Sequence, residues 1–155
     1  MIIMGYPGIG KTSIAKDDYR FIDLDSSSML IRGKYGNKKD WEEAYCNTAL
    51  MLSKQGYFVF ISTHPKVRER ILAKDKNAVV IYPALSLKKE WINRLYERYQ
   101  NNRCRQTHNA WLRAKEHYDE DVEALMKLRC QQILITSMEN YRAKQQIMYL
   151  HEAKY

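Results

Sequence analysis

The sequence predicts an α/β domain in which a parallel sheet is wrapped by helices. Three observations predict it. Five short apolar runs are rich in β-branched and aromatic residues, the segments between them carry helical periodicity, and a glycine-rich turn follows the first run directly. Apolar runs without alternation suit strands covered on both faces, and strand–helix alternation is the signature of parallel pairing through crossover helices.

Met1–Met4 reads as a very short buried strand and Phe21–Leu24 as a second. Tyr57–Ser62, Ala78–Tyr82 and Gln132–Thr136 are the third, fourth and fifth. Asp40 caps the helix ahead of the third strand, with Glu43 as its return partner in a capping box. Trp41, Ala44, Tyr45, Thr48 and Leu52 share one face of that helix, which stops at Gly56. Pro65 suits the first turn of the next helix, through about Ala73. After Pro83, Leu87, Trp91, Leu95 and Tyr99 mark a further helix, and two shorter ones are expected at Asn109–His117 and Asp119–Arg129. Ser137 is placed to cap a last helix running to the C-terminus.

The length of 155 residues fits one domain with a sizeable core, and 45% hydrophobic with 28% charged residues is a globular composition rather than a disordered one. Neither a repeat nor a second-domain linker interrupts the chain, so 1–155 is read as a single domain. Lys plus Arg number 26 against 18 Asp plus Glu, and the net charge of +8 favours anionic partners: nucleotides, phosphorylated substrates or nucleic acid. Cys46, Cys104 and Cys130 are an odd, widely spaced set that makes neither a disulfide framework nor a zinc motif. Reduced thiols, the absence of a membrane-length apolar run and an N-terminus without signal-peptide features together lead to a cytoplasmic expectation with no membrane partner.

Gly5-Tyr6-Pro7-Gly8-Ile9-Gly10-Lys11-Thr12 fits G-x-x-x-x-G-K-[ST] at every fixed position, after a strand and before a helix. Its glycines let the loop curl so that backbone N–H groups converge on phosphates. The expected nucleotide contacts are therefore Tyr6, Pro7, Gly8, Ile9, Gly10, Lys11, Thr12 and Ser13, for ATP with Mg²⁺. Lys11 bridges the β- and γ-phosphates in this reading and acts catalytically, while the Thr12 hydroxyl is a metal ligand.

Phe21-Ile22-Asp23-Leu24-Asp25 places two carboxylates at the end of the second strand, beside the crevice that parallel strands share at their carboxyl ends. One can accept a proton from an attacking hydroxyl and the other can hold Mg²⁺ through water. Asp25 is the expected base or acceptor anchor and a metal ligand, with Asp23 beside it facing substrate. A turn with a helix cap is the structural alternative for this Asp- and Ser-rich stretch.

These residues resemble the small P-loop kinases of the nucleoside monophosphate kinase superfamily, including its gluconate- and shikimate-kinase-like members. Gly5–Thr12 is similar to their phosphate loop, and Ile22-Asp23-Leu24-Asp25 to the Asp-x-Asp that faces the acceptor in the sugar-acid kinases. Phe60-Ile61-Ser62-Thr63-His64 with Arg68 and Arg70, then Val80-Ile81-Tyr82 and Leu87 to Arg98, resemble the third-strand exit and the path into a lid. Starting at the first strand, the chain also looks like kinase-like proteins encoded by bacteriophages. The resemblance implies a three-layer P-loop fold with a five-stranded parallel sheet and a helical lid insertion at about 88–118. Nucleoside monophosphate kinases usually carry an Asp-Gly-x-Pro-Arg type segment after the third strand. Ser62-Thr63-His64-Pro65 stands in that place here without an acidic residue.

His64 either hydrogen-bonds an acceptor phosphate or serves locally where the next helix starts, and Arg68 either forks onto a phosphate monoester or is a solvated charge. Within the insertion, Arg94, Arg98, Arg103, Arg105 and Arg113 supply charge that can meet the equatorial oxygens of a transferring phosphoryl group. Arg98 is expected on the nucleotide, Arg103 at the catalytic tip, and Arg105 on the acceptor. Asn101-Asn102-Arg103-Cys104-Arg105 lacks strong helix formers and is read as the mobile tip. Tyr96 and Tyr99 among basic residues fit either a nucleic-acid groove or partial core packing, and packing is favoured by their apolar neighbours.

The expected activity is ATP-dependent phosphorylation of a small anionic acceptor, with a nucleoside or deoxynucleoside monophosphate first. A polynucleotide 5′-kinase, a small-metabolite kinase and a non-catalytic ATP-binding module are the alternatives.

Overall fold

The computed structural model describes residues 1–24, 41–139 and 141–153. Among these the strands are β1 (Ile2–Gly5), β2 (Phe21–Asp23), β3 (Phe58–Ile61), β4 (Val79–Pro83) and β5 (Gln131–Ile135). They form one five-stranded sheet in the order β2-β3-β1-β4-β5, with every pairing parallel. The short central β1 pairs on one side through Ile3 with Phe60 and on the other through Ile3 with Val79. Ile2, Ile3 and Met4 are fully buried there, which explains an apolar run with no polar alternation.

The helices are α1 (Lys11–Asp17), α2 (Trp41–Lys54), α3 (Pro65–Lys74), α4 (Lys88–Asn101), α5 (Arg105–Met126) and α6 (Ala143–Glu152), with a single 3₁₀ turn at Leu85–Leu87 leading into α4. α1 packs on β2, α2 on β3 and α3, and α5 on α4 and β4. Trp91, Tyr45, Tyr118 and Phe60 are the largest fully buried side chains, so aromatic residues hold α2 and α5 in the core and seat α4 against the loop that follows β1. The strand order reverses at β1. The segment leaving its carboxyl end therefore lies at the switch point of the sheet, where a crevice opens.

Three expectations are corrected. The helix expected to start at Asn109 begins earlier, at Arg105, while the expected division between Asn109–His117 and Asp119–Arg129 is present as a break at His117 (φ −131°, ψ 20°) within α5. It begins at Arg105 because Cys104 and Thr107 cap it reciprocally, a pairing outside the usual Ser/Thr…Glu pattern. Ser137 does not cap the last helix, which starts at Ala143. The Ser137 hydroxyl instead accepts the Glu139 N–H at 3.3 Å, and Tyr141 is held outside the helix by a contact to the first loop. β5 is an edge strand and is not covered on both faces: Leu134 is 45% exposed although the run is apolar. The Asp40 cap lies outside the described residues. Among the described residues no helix is long and apolar enough to cross a membrane.

Candidate active site

The loop between β1 and α1 is tied to its surroundings almost entirely through its backbone. The Tyr6 N–H donates to the Ile81 carbonyl of β4 at 3.0 Å, and Ile9 N–H closes a turn onto the Tyr6 carbonyl at 3.4 Å. The side chains of Tyr6 and Ile9 face the core, so only their backbone can serve a ligand. Tyr6 meets Tyr118 edge to face at 5.9 Å, and burial, followed by the charge of Asp121, lifts its hydroxyl far above the usual range. Gly8 sits at φ +89°, and a Cβ there would lie 3.0 Å from Leu95 and 3.2 Å from the Trp91 indole nitrogen. The loop thus packs too tightly on α4 for any side chain at that position. The Lys11 ammonium donates to the Gly5 carbonyl at 2.9 Å, across the mouth of the loop.

A cleft of about 910 Å³ opens above the loop. Its floor is Pro7, Gly8 and Gly10 to Ser13. Asp23, Leu24 and Ser62 at the strand ends form one wall, and Arg94, Glu97, Arg98 and Asn101 of α4, Asn102 after it and Gln106 of α5 form the other. The Thr12 hydroxyl donates to Asp23 Oδ2 at 2.6 Å, which joins the end of the phosphate motif to the β2 carboxylate. Tyr45 of α2 fixes that wall: its hydroxyl donates to the Leu24 carbonyl at 2.6 Å and accepts the Ser62 N–H at 3.0 Å. The carboxyl ends of β2 and β3 are latched together by one side chain.

The structure therefore brings Pro7, Gly8, Gly10, Lys11, Thr12, Ser13, Asp23 and Arg98 to one cleft. Asp25 lies outside the described residues. His64 stands ahead of α3, its carbonyl accepts the Arg68 N–H at 3.0 Å, and its ring rests edge-on against Trp41 at 6.0 Å. Arg68 is half-buried on α3, and desolvation pulls its pKa down against the opposing pull of Asp121 and Glu69. Arg103 donates to Gln100 Oε1 at 2.6 Å beside the connection between α4 and α5. Arg105, the first residue of α5, is exposed. Neither Arg103 nor Arg105 lines the cleft in this conformation.

No protein-family model and no curated protein sequence matches the chain. Among solved structures it is similar to the shikimate kinase from Bacteroides thetaiotaomicron, with a TM-score of 0.51 and 14% identity over 99% of this chain and 94% of that one. The chain has the P-loop kinase fold.

On this P-loop kinase fold the glycine-rich motif stands at the switch point that its sequence pattern calls for. Sequence reasoning missed what surrounds it. Trp91 was assigned to an apolar helix face and is indeed buried, yet its Nε1–H also donates to the Pro7 carbonyl at 2.8 Å. Arg94 Nε donates to the Gly8 carbonyl at 2.8 Å, and the Tyr141 hydroxyl donates to the Ile9 carbonyl. Trp91 and Arg94 lie three apart, one helical turn, so their shared face was readable, but nothing local marks the target. Tyr141 carries no sequence signal at all. Tyr96 and Tyr99 pack against Trp111, the latter stacked at 5.8 Å and 6°, but Tyr96 is exposed and the two rings cluster between α4 and α5 rather than in the core.

Proposed function

We propose that the chain is a kinase that transfers the γ-phosphate of ATP, with Mg²⁺, to a small anionic acceptor, and that a nucleoside or deoxynucleoside monophosphate is the leading candidate. The observation that carries this reading is the Thr12–Asp23 contact in the cleft, which joins the last fixed position of the phosphate motif to the acceptor-side strand. A hydroxyl and a carboxylate, both oxygen donors, suit Mg²⁺, which keeps several waters and takes its other ligands from phosphates. Thr12 would hold the ion directly and Asp23 through water, and the ion would supply charge neutralisation to the phosphates.

The chain's own groups do the rest. Backbone N–H groups of the loop bind the phosphates. Lys11 leaves the Gly5 carbonyl to meet the γ-phosphate and follows its charge into the transition state. Arg98 faces the loop across the cleft and adds positive charge on the opposite side. Asp25, two residues beyond Asp23, takes the proton of the attacking hydroxyl or anchors the acceptor. Arg68 and His64, at the start of α3, are assigned to the acceptor's own anionic group. The tip of the lid-like segment 88–118, around residues 101–108, closes over the site to deliver Arg103 and Arg105.

The test is ADP release with a panel of acceptors. Turnover with one mononucleotide is the expected result, and Asp25→Asn should slow it by about a hundredfold or more while ATP still binds. A rate loss under about threefold would reduce Asp25 to a turn residue. The likeness to a shikimate kinase favours a second reading, a small hydroxylated acid as acceptor, and turnover with such acids alone would select it. Turnover confined to 5′-hydroxyl oligonucleotides, or ATP binding with no turnover, would overturn both.

A further inference from the structure

Three outward carbonyls of the glycine-rich loop are each taken up by a side chain from a distant part of the chain. Trp91 Nε1–H and Arg94 Nε–H reach the Pro7 and Gly8 carbonyls, both at 2.8 Å, and the Tyr141 hydroxyl reaches that of Ile9. The donors also support one another. Trp91 meets Tyr141 edge to face at 6.3 Å, and the Arg94 guanidinium lies 5.5 Å from the centre of the Trp91 ring. Trp91 is fully buried, and burial pushes the Tyr141 hydroxyl far above its usual range, so it remains a donor at neutral pH.

We infer that Trp91, Arg94 and Tyr141 are positioning residues that clasp the loop through its carbonyls and set the direction of the N–H groups it offers to phosphate. The reason is the planarity of the peptide unit: fixing the carbonyl of one residue fixes the N–H of the next, on the opposite side. The Pro7 carbonyl sets the Gly8 N–H, and the Ile9 carbonyl sets the Gly10 N–H. The Gly8 carbonyl sets the Ile9 N–H, which is the one that closes the turn onto the Tyr6 carbonyl. Gly8 and Gly10 have no side chains of their own to hold them, so the orientation must be imposed from outside. A loop ordered before the ligand arrives does not lose that freedom on binding. The role assigned here rests on the proposed nucleotide site, but its first readout does not need a nucleotide.

Tyr141→Phe removes one hydroxyl and no packing, and Arg94→Lys keeps the charge but loses the Nε–H. Amide hydrogen exchange is measured site by site on the ligand-free proteins, ATP affinity by calorimetry, and the thermal midpoint alongside. In Tyr141→Phe the Ile9 amide, whose bond to the Tyr6 carbonyl closes the loop turn, should exchange about tenfold faster and ATP should bind about tenfold more weakly, with β3 and β4 amides unchanged. Arg94→Lys should loosen the Ile9 amide in the same way. Rescue of neither variant by added salt is expected, since the lost contacts are directional rather than purely charged. A lower thermal midpoint with loop exchange within about twofold of wild type would reduce these residues to core packing and overturn the inference. If the wild-type chain fails to bind ATP, the kinase reading falls, while the exchange comparison still decides the clasp.

Discussion

Replacing Gly8 with alanine separates backbone strain from contact. Two terms act at Gly8. Its φ of +89° is one that residues with a Cβ rarely adopt, which costs about 1–2 kcal/mol. The new methyl would also lie 3.0 Å from Leu95 and 3.2 Å from the Trp91 indole nitrogen, so both must give way by a few tenths of an ångström, and the crowding with a weakened Trp91–Pro7 bond costs about 1 kcal/mol. The sum is about 2–3 kcal/mol, which for a chain of this size lowers Tm by roughly 4–12 °C. Gly56 is the internal control. It also has positive φ (+95°) where its N–H closes the end of α2 onto Ser53, yet a Cβ there meets nothing within 4 Å. Gly56→Ala should therefore carry the strain alone, roughly 2–8 °C. Thermal unfolding followed by circular dichroism measures both, and calorimetry measures ATP affinity. Gly8→Ala should melt about 2–4 °C below Gly56→Ala and bind ATP more weakly, whereas Gly56→Ala should bind as wild type does. Equal midpoints for the two variants, or a lower one for Gly56→Ala, would refute the contact term.

Lys11→Ala should abolish ATP turnover with the far-ultraviolet spectrum unchanged, because its ammonium reaches the Gly5 carbonyl at the mouth of the loop and its role is to meet phosphate charge; residual turnover near wild type would remove the nucleotide assignment. Arg103→Ala should lower kcat more than ATP affinity, and exchange across 101–108 should slow on adding ATP and acceptor to wild type but much less in the variant. Equal exchange with and without ligands would leave 88–118 a static arm. Asp18 accepts two bonds from the Arg20 guanidinium at 3.0 and 2.7 Å and an ion pair from Lys144 at 2.8 Å, and these contacts, Arg20 first, hold its carboxyl well below the usual carboxylate range. A depressed folded pKa contributes stability above the unfolded pKa of about 3.9 and loses it as pH falls toward the folded value. Urea unfolding should thus show Asp18→Asn less stable than wild type at neutral pH, with the gap closing below about pH 4, and a gap that persists in acid would disprove the linkage.

The fold was readable where its cause is local. Ile2-Ile3-Met4, Phe58–Ile61 and Val79–Val80 are apolar without alternation because each strand is flanked on both edges or both faces, and a sequence shows that in a few consecutive residues. β5 carries the apolar Ile133-Leu134-Ile135 but opens on Gln131 and Gln132 and takes the edge, where only Ile133 and Ile135 are buried. The break at His117 was anticipated, whereas the start of α5 was not, since a Cys104–Thr107 cap has no common signature.

By itself the sequence determined the phosphate motif, the alternating order of strands and helices, and the carboxylate at Asp23, since each is written in residues a few positions apart. Only the tertiary structure decided how that motif is held. The clasp joins residues 84, 86 and 132 positions apart, and the Tyr45 latch spans 21 and 17. It likewise decided that Arg98 reaches the cleft while Arg103 turns to Gln100. Side-chain direction depends on where whole helices come to rest, and that is set by burial of Trp91, Tyr45 and Tyr118 in the core rather than by any short pattern.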